Sequence, residues 1–447
     1  MTADLGAAKP VSASTRRRRH HGRSVAMICN YVVDVHYPAH FHQVYGTLLP
    51  GRGYRVATLA FYRDRASEEA QRELRHGTHL IRASAGRTVA GRLASGAVQI
   101  GRLLRSLLTR KEFGRADAYV VHNDPLLALV TYIWARTRGV PVLYRLTHLM
   151  PETAEMDSRA SRRMVGRVAR RMRNWVLPRC HGVLPTSPEM AEVLRAQVPI
   201  ALERIHVLKA TVAAPEPFEP RQTAECHVHT QRLKQRMREA ACKEWLVYLG
   251  NLSPSRELGH LLDALAAVRA RGHDAGLLVL GVSNRPAHLA ALKDDAEARA
   301  LSHCILWEAP VPEACLPAAV RLADIGVTPF PDNRVMRCNS PLKNLEYIRA
   351  GVPVVATAIP DSVEVMQGSG IGLAVPHDDP AAFADAVAEL LDETPEARRH
   401  RVAGAQEWLR RNRSLEQACD IVDAALQHCL DGAASDAGPR PKAAAPS

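Results

Sequence analysis

The sequence predicts an α/β protein in which two Rossmann-like, doubly wound domains face a central cleft. At 447 residues the chain exceeds what one hydrophobic core usually serves, so two domains are expected. Hydrophobic residues make up 47 % of the chain, which is enough for two cores. Short β-branched runs alternate with helical stretches in both halves, and this alternation is typical of doubly wound parallel sheets.

We expect six segments along the chain, which differ in composition and periodicity. They are a disordered basic arm (1–23), an N-terminal Rossmann-like domain (24–212), an interdomain linker (213–243), a C-terminal Rossmann-like domain (244–402), closing or crossover helices (403–431) and a disordered tail (432–447). The arm lacks the apolar core of a signal peptide. Prolines break the periodicity of the linker, and the tail is rich in Ala, Pro and Gly.

In the first half, predicted strands cover residues 24–30, 54–61, 117–122, 140–146 and 181–185. Helices are predicted over 40–49 and 125–138, and Ser187 begins a further, capped helix. Ligands of open α/β sheets bind beyond the carboxyl ends of the strands. His148 follows such an end, so we expect its side chain to face the cleft. The alternative is a histidine packed under a loop, and we expect nearby Glu152 to orient that loop.

In the second half, predicted strands cover residues 245–250, 276–281, 304–307 and 352–356, and residues 323–329 lead from a strand into a loop. Helices are predicted over residues 258–270, 381–391 and 403–430, with another that begins near Val311. The order of these elements again alternates strand with helix, as a second doubly wound sheet requires.

The most specific pattern is the sequence SPLKNLEYIRAGVPVVA, which begins at Ser340. Pro341 suits the first turn of a short helix, and Gly351 suits its end. The N-terminus of this helix offers unpaired N–H groups to an anion. Lys343 adds a positive charge there, and Glu346 on the same turn can accept hydrogen bonds from sugar hydroxyls. The combination suits a nucleotide-sugar, which carries a diphosphate and a ribose.

This stretch resembles the donor-binding signature of GT-B glycosyltransferases, in particular that of retaining family 4. The resemblance extends from about residue 24 to about residue 430, with its strongest matches in the second half. It implies that the C-terminal domain binds the donor and the N-terminal domain the acceptor. It also implies that His148 is catalytic, because YRLTHLMPE is similar to the family segment whose histidine contacts the donor sugar near the reacting carbon. The donor-binding residues that it implies are Asn251, Arg256, Ser340, Pro341, Leu342, Lys343 and Glu346.

The sequence departs from the family pattern at two positions near the expected donor. Arg256 matches the second of two cations that reach the diphosphate, whereas Asn251 stands where the family usually has the first. Cys338 occupies the place of a glutamate that the family commonly has eight positions before Glu346. We therefore consider Cys338 and Asn339 candidate contacts of the donor sugar.

A third departure lies after the first strand, where the glycine-rich loop of many relatives is absent. Asp34 precedes the first predicted helix, and His36 and His40 lie close to it in the sequence. These three residues are candidate acceptor-side residues, and ordinary surface histidines are the simpler alternative.

Two segments are rich in arginine, and the chain carries a net charge of +13. The first covers residues 87–111, and the second, 159–179, contains eight arginines and no acidic residue. In the second segment, apolar residues recur at helical spacing: Met164, Val168, Met172 and Trp175. Basic amphipathic helices lie on anionic bilayers, and the alternative is a solvated helix whose apolar stripe packs on the domain. Aromatic interleaving and groove-reading motifs are absent from the sequence, so no nucleic-acid partner is expected.

Together these observations predict a glycosyltransferase that moves a sugar from a UDP- or GDP-sugar to a glycan, lipid-linked or small-molecule acceptor; the resemblance implies retention. Neither a cofactor nor an obligatory metal is expected. The nine cysteines lack CxxC pairs, which suggests reduced thiols and a cytoplasmic protein. The basic segments suggest a peripheral location at the inner face of the plasma membrane. Two alternatives remain open: a nucleotide-sugar epimerase on the same fold, and a non-catalytic binder of nucleotide-sugars or nucleic acid.

Overall fold

The computed structural model describes residues 22–32, 43–62, 78–82, 89–215, 224–283, 285–309, 311–312 and 315–436. Within it the chain divides into two compact units, Met1–Lys209 with Glu416–Ser447, and Ala210–Leu415. Residues 1–21 of the predicted basic arm and residues 437–447 of the predicted tail lie outside the described residues. The same holds for three candidate acceptor-side residues: Asp34, His36 and His40.

The first unit is built on a parallel sheet whose six described strands run in the order β3-β2-β1-β4-β5-β6. The strands are β1 (Ser24–Val32), β2 (Arg55–Tyr62), β3 (Thr78–Arg82), β4 (Ala118–His122), β5 (Val142–Leu146) and β6 (Gly182–Pro185). The apolar runs of β4 and β5 are buried along their whole length, as expected for a parallel sheet covered on both faces. The strand order reverses between β1 and β4, and this reversal is the switch point at which doubly wound sheets bind ligands.

Helices of the first unit follow these strands in the predicted alternation. They are α1 (Leu49–Gly51), α2 (Val89–Thr109), α3 (Lys111–Gly114), α4 (Pro125–Arg136), α5 (Met150–Glu155), α6 (Ala160–Val176) and α7 (Pro188–Arg195). Side-chain caps fix two of their starts: Asp124 accepts hydrogen bonds from the first N–H groups of α4, and Ser187 accepts one from Met190 of α7. The capped helix predicted at Ser187 is therefore confirmed.

The second unit repeats the same architecture. Its six described strands run in the order β12-β11-β10-β7-β8-β9, and all neighbours are parallel. The strands are β7 (Glu244–Asn251), β8 (Ala275–Val282), β9 (Ile305–Glu308), β10 (Ile325–Thr328), β11 (Val354–Thr357) and β12 (Gly372–Val375). The switch point of this sheet lies between β7 and β10. The prediction of two doubly wound parallel-sheet domains is thus confirmed.

The helices of the second unit cover both faces of its sheet. They are α8 (Ala224–Glu239), α9 (Gly259–Ala270), α10 (Pro286–Ala298), α11 (Leu316–Val320), α12 (Arg334–Arg337), α13 (Leu342–Ala350), α14 (Pro360–Ser369), α15 (Pro380–Leu391) and α16 (Pro395–Asn412). α8 lies in the segment that the sequence predicts as a linker. Across the described part of the chain, no helix combines the length and apolar character that crossing a membrane requires.

The last helix, α17 (Leu415–Asp436), returns to the first unit. Arg52 donates to Asp420 at 2.6 Å and to Asp423 at 3.1 Å, and the Tyr54 hydroxyl donates to Asp423 at 2.8 Å. These bonds fasten α17 to the segment before β2. The helix extends to residue 436, so the first residues of the predicted tail are helical.

The structure corrects one prediction about the cysteines. Cys226 in α8 and Cys315 directly before α11 form a disulfide, so the prediction of reduced thiols is wrong for this pair. The two residues are 89 positions apart in the sequence, and the packing of α8 against α11 brings them together. Cysteine spacing therefore gives no argument for a reducing compartment.

Tyr347 fixes α13 to the sheet where β7 and β10 separate. Its side chain is fully buried, and its hydroxyl accepts a hydrogen bond from the Leu249 N–H at 3.1 Å. The same hydroxyl lies 3.0 Å from the Val247 carbonyl oxygen and 3.1 Å from that of Val327, and it donates to one of them at a time. Gly326 leaves room for the ring, because a Cβ at that position would lie 2.4 Å from it.

Replacing Tyr347 by Phe should lower the free energy of unfolding by about 1–3 kcal/mol, because backbone groups that it satisfies stay buried without a partner. Tyr132→Phe is the matched control, since that hydroxyl accepts a 3.4 Å hydrogen bond from exposed Arg136. Urea unfolding followed by circular dichroism measures both losses. Equal losses in the two variants would contradict the role assigned to the Tyr347 hydroxyl.

Candidate functional site

Two cationic side chains lie together at the switch point of the second sheet. Lys343 Nζ lies 3.9 Å from the centroid of the Tyr248 ring and 4.9 Å from that of Phe330. The Arg256 guanidinium carbon lies 4.3 Å from the Phe330 centroid. Tyr248 belongs to β7 and Phe330 follows β10, so the rings come from the two strands that flank the switch point. Such cation–π contacts position a cation without neutralising it.

Within the described residues, neither Lys343 nor Arg256 forms an ion pair with a carboxylate. Burial lowers the pKa of Lys343 well below its usual range, and the charge of Arg256 lowers it further. Burial also lowers the pKa of Arg256. The Arg256 Nη1 group lies 3.2 Å from the sulfur of Met336, which is a weak acceptor. Two desolvated cations without counter-charge form a site for an anion that carries more than one negative charge.

The N-terminus of α13 adds backbone donors to this site. The helix begins at Leu342. Pro341 was predicted to lie in the first turn, but it is the N-cap residue, one position earlier. Pro341 supplies no side-chain cap, so the first N–H groups of α13, which include those of Leu342 and Lys343, have no intrahelical acceptor. Gly351 ends the helix in the left-handed conformation at φ 77°, as predicted.

Glu346 lies one turn after Lys343 on α13 and is buried, with 8 % of its surface exposed. Its Oε2 atom lies 3.5 Å from Nη1 of Arg349. This contact orients the carboxylate along the helix. The predicted role of Glu346 as an acceptor for ribose hydroxyls stays a prediction, since it depends on the nucleotide.

Several polar atoms near the switch point are buried without a hydrogen-bond partner among the residues that the structure describes. They are Oδ1 of Asn251 at the end of β7, Oγ1 of Thr328 at the end of β10, and Oδ1 of Asn344 on α13. An unsatisfied buried polar group costs about 1–3 kcal/mol. Thr328 and Asn344 are 0 % exposed, so of these three residues only the partly exposed Asn251 is placed to meet a ligand with hydroxyl groups. The resemblance implies Asn251 as a donor contact, and its position at the end of β7 suits that role.

The structure gives Ser340 a different role from the predicted one. Its hydroxyl donates to Asp361 at 2.9 Å and accepts from the Ala210 N–H at 3.0 Å and from Arg413 at 3.3 Å. Arg413 is buried and donates to Asp361 at 2.8 Å. The hydroxyl of Ser340 is therefore occupied inside the second unit, where it holds the residue before Pro341 in place. The sequence could not show this, because the partners lie far from Ser340 along the chain.

Cys338 and Asn339, the two candidate contacts of the donor sugar, are both buried. The Cys338 thiol donates to the Arg334 carbonyl oxygen at 3.2 Å. The Asn339 side-chain amide lies 3.2 Å from the sulfur of Met336, on α12, and its backbone N–H donates to the Met336 carbonyl. Only 1 % of the Cys338 surface is exposed, so the structure does not support its contact with a sugar.

In the first unit, His148 lies two residues after the carboxyl end of β5, as predicted. Its Nε2 atom lies 2.9 Å from the Thr153 hydroxyl on α5, and its side chain is partly exposed. The ring is therefore oriented by a neighbour on the following helix. No local sequence pattern identifies Thr153 as this neighbour.

Glu152 anchors the helix that follows His148. The buried Arg173 guanidinium donates to its two carboxylate oxygens at 2.7 and 2.8 Å, and Gln197 donates to it at 3.1 Å. Burial opposes ionisation of Glu152, but the Arg173 bonds outweigh it and lower the pKa of the carboxyl. Glu152 thus joins α5 to α6, in agreement with the structural role expected for it.

The basic helix α6 leaves much of its apolar stripe exposed. The exposed fractions are 62 % for Met164, 49 % for Val168 and 44 % for Trp175, while the buried face contains Gly166 and Arg173. Met172 on the same stripe is partly buried, and the Trp175 ring lies edge-on to Tyr132 of α4 with the centroids 5.8 Å apart, so the stripe is partly exposed and partly packed on the domain. A hydrophobic face exposed on a basic helix needs a partner, since contiguous apolar surface is rare on soluble proteins.

Sequence reasoning missed Tyr248 and Phe330, whose rings contact the two cations of the candidate site. Tyr248 belongs to a predicted strand, and Phe330 follows another. Ligand-binding side chains of such folds lie at the strand ends beside the switch point. The strand order, which the sequence does not reveal directly, is needed to see that these two strands are neighbours.

Comparison with known proteins agrees with this geometry. A family model described as "Glycosyl transferase 4-like domain" matches residues 43–211, and one described as "Glycosyl transferases group 1" matches residues 243–393. A stretch of 108 residues is 32 % identical to the teichuronic acid biosynthesis glycosyltransferase TuaH of Bacillus subtilis (strain 168). That match covers 23 % of this chain and spans 27 % of the length of TuaH.

Solved structures show the same fold at low sequence identity. Sucrose-phosphate synthase from Thermosynechococcus elongatus superimposes with a TM-score of 0.69 and 15 % identity, over 92 % of this chain and 100 % of that one. Anabaena HepE in complex with UDP-glucose gives a TM-score of 0.64 and 15 % identity, over 90 % of this chain and 99 % of that one. A family model thus matches each of the two domains, and solved structures share the fold of both. The chain belongs to the GT-B glycosyltransferases, with a glycosyltransferase 4-like domain followed by a domain of glycosyl transferases group 1.

Proposed function

We propose that this glycosyltransferase transfers a sugar from a UDP- or GDP-sugar, and that Lys343, Arg256 and the N-terminus of α13 bind the donor diphosphate. The observation that carries the proposal is the pair of cations at the switch point of the second sheet, held by aromatic rings and without a carboxylate partner. A diphosphate supplies the charge that this pair lacks. HepE, which has the same fold, binds UDP and UDP-glucose, and this supports the choice of donor.

The transfer breaks the bond between the anomeric carbon and the donor diphosphate. Negative charge develops on the leaving phosphate, and preorganised cations that face this charge lower the barrier. Lys343 and Arg256 are suited to this role, so we propose a reaction that needs no metal ion. We also propose that the anomeric configuration is retained, by attack on the face from which the diphosphate leaves.

We propose that His148 is the catalytic residue of the first unit and that it contacts the donor sugar. The supporting observations are its place after β5 and the Thr153 hydroxyl that orients its ring. Glu346 is proposed to accept hydrogen bonds from the ribose. These assignments are independent of each other and can fail separately.

For the acceptor side, we propose that α6 brings the enzyme to an anionic bilayer, where a lipid-linked acceptor would be found. Met164, Val168 and Trp175 follow one line along the helix, and exposed Arg167 and Arg171 lie beside it. An apolar ridge bordered by arginines suits the interface between headgroups and acyl chains. The cytoplasmic leaflet is negatively charged, so the inner face of the plasma membrane is the proposed location.

A donor panel tests the nucleotide. In a panel of UDP-, GDP- and TDP-sugars, only the donors that bind should raise the melting temperature of the protein. A ligand at 100 times its Kd stabilises the native state by about 2.7 kcal/mol. Lys343→Met and Arg256→Met should each weaken donor binding by about 10–100-fold, since each removes a charge-assisted hydrogen bond. Exposed Lys293→Met is the control for loss of a positive charge.

The same samples separate the rival functions. Incubation of the donor sugar without acceptor, followed by product analysis, shows whether the sugar is epimerised. Donor affinity in Lys343→Met equal to that of the unaltered protein, at unchanged thermal stability, would falsify the proposed diphosphate site.

Donor binding should take up protons. Burial and Arg256 lower the pKa of Lys343, so Lys343 loses its proton at a lower pH than an ordinary lysine. A bound diphosphate favours the charged form of Lys343. Affinity for UDP should therefore fall as the pH rises through this range. Calorimetry at about pH 8, where histidines are neutral, should give heats that depend on the ionisation enthalpy of the buffer.

Lys343→Arg is the control for proton uptake, since its guanidinium stays charged at this pH. This variant should bind UDP with heats that are the same in all buffers. Buffer-independent heats for the unaltered protein would show that Lys343 is already protonated and that the proposed linkage is wrong.

Replacing Met164, Val168 and Trp175 together by Ser should reduce sedimentation of the enzyme with vesicles of anionic phospholipid. The cost of losing the apolar contacts is about 25 cal/mol for each Å² of buried apolar surface. Arg167→Glu with Arg171→Glu should also weaken binding to these vesicles, by about 1 kcal/mol or more for each charge.

Lys293→Glu with Arg399→Glu is the matched control, because it changes the net charge by the same amount at exposed positions of the second unit. Vesicles of zwitterionic lipid show how much of the binding depends on charge. If all variants sediment alike, α6 is not the membrane contact.

A further inference from the structure

Three metal-ligand side chains meet in the second unit, outside the cation pair. They are Glu257 in the turn after β7, His260 in the first turn of α9, and His377 in the loop after β12. One ligand atom of each residue lies within 4.8 Å of those of the others. The Glu257 Oε2 and His377 Nε2 atoms are 3.4 Å apart, and the centroids of the two imidazoles are 4.4 Å apart.

These distances suit a small divalent ion. With Zn–N and Zn–O bonds of about 2.0–2.1 Å, tetrahedral ligand atoms stand about 3.4 Å from each other. The Glu257–His377 pair already has this separation, and rotation of the His260 ring would complete the set. Two histidines and one glutamate are also a ligand combination that zinc uses in proteins.

The His377 ring is largely buried beside Glu257. Only 9 % of the His377 side chain is exposed, and Nε2, the ring nitrogen that lies 3.4 Å from Glu257, is the atom placed to bind an ion. The groups around it are His260, Glu257 and Asp378. A neutral imidazole binds a metal ion through the lone pair of one ring nitrogen.

The backbone of the turn is strained in the same region. Glu257 adopts the left-handed conformation at φ 49°, which costs a non-glycine residue about 1–2 kcal/mol. This conformation directly follows Arg256 and sets the direction of both side chains. Strain of this kind persists where the surrounding structure requires it, often at ligand sites.

We propose that Glu257, His260 and His377 bind a divalent transition-metal ion such as Zn²⁺, with water at the remaining position. The ion joins the turn that carries Arg256 to the loop after β12. It takes no part in the transfer reaction, and the metal-free chemistry proposed above is unchanged. Only one consequence depends on the proposed function, namely that the bound ion holds Arg256 ready for the diphosphate.

The test uses the full-length protein, freed of metal by a chelator and without nucleotide. Titration with Zn²⁺ in a calorimeter should show one equivalent bound at this site. Co²⁺ should give the visible absorption bands of a tetrahedral ion that has nitrogen and oxygen ligands. Because neither readout needs a donor or acceptor, its result is independent of the proposed glycosyl transfer.

His377→Ala and His260→Ala should each weaken Zn²⁺ binding by at least about 100-fold, more than the loss of an outer-shell partner. Glu257→Gln tests the third ligand with little change of shape. The control is the double variant His227→Ala with His229→Ala, which removes the histidines beside the Cys226–Cys315 disulfide. Melting temperatures without metal show that each variant is folded.

Binding that disappears in the His260 and His377 variants and persists in the control supports the site. Absence of a stoichiometric ion, or equal binding in all variants, overturns it. If Zn²⁺ binds as expected but leaves UDP affinity unchanged, the site stands and its proposed effect on Arg256 is wrong.

Discussion

Lys343 and Arg256 stand next to each other with aromatic rings as their neighbours instead of carboxylates. This arrangement is unfavourable for the protein alone, because both charges lose water and repel each other. Contacts with the faces of Tyr248 and Phe330 return about 0.5–2 kcal/mol each. Binding of an anion offsets the remaining unfavourable free energy. The candidate site is therefore a region of the fold that is preorganised for a partner.

The position of the cations depends on how α13 rests on the sheet. The parallel strands β7 and β10 pair beside the switch point, and some of their backbone groups also bond to a side chain of α13. The Tyr347 hydroxyl satisfies such groups on β7 and β10, and Gly326 leaves space for its ring. α13 is thus fixed by the sheet itself. Lys343, one turn earlier, is delivered to the Tyr248 ring by the same packing.

Sequence reasoning identified what local patterns encode. Buried apolar runs predicted most strands of both sheets, and the SPLKNLEYIRAG stretch predicted α13 with its glycine end. It missed the short edge strands β3 and β12, and it missed α14, whose start at Pro360 closely follows β11.

Other features depend on contacts between distant parts of the chain. The Cys226–Cys315 disulfide and the engagement of Ser340 by Asp361 and Arg413 join residues that no local pattern relates. The sequence also did not reveal that much of the α6 stripe is exposed. Periodicity shows that a helix has two faces, but burial of Arg173 decides which face packs inward.

Arginines in the chain show how a structural cation differs from a functional one. Arg173 is completely buried and donates to Glu152, Asn174 and Gln197, so its charge is fully compensated. Removing one partner of such a pair typically costs about 3–5 kcal/mol, which is a matter of stability. Arg256 is partly exposed at the switch point and contacts an aromatic ring and a thioether. The two arginines differ in how far the protein compensates their charge, and the incomplete compensation of Arg256 is what suits it to the proposed role as a diphosphate ligand.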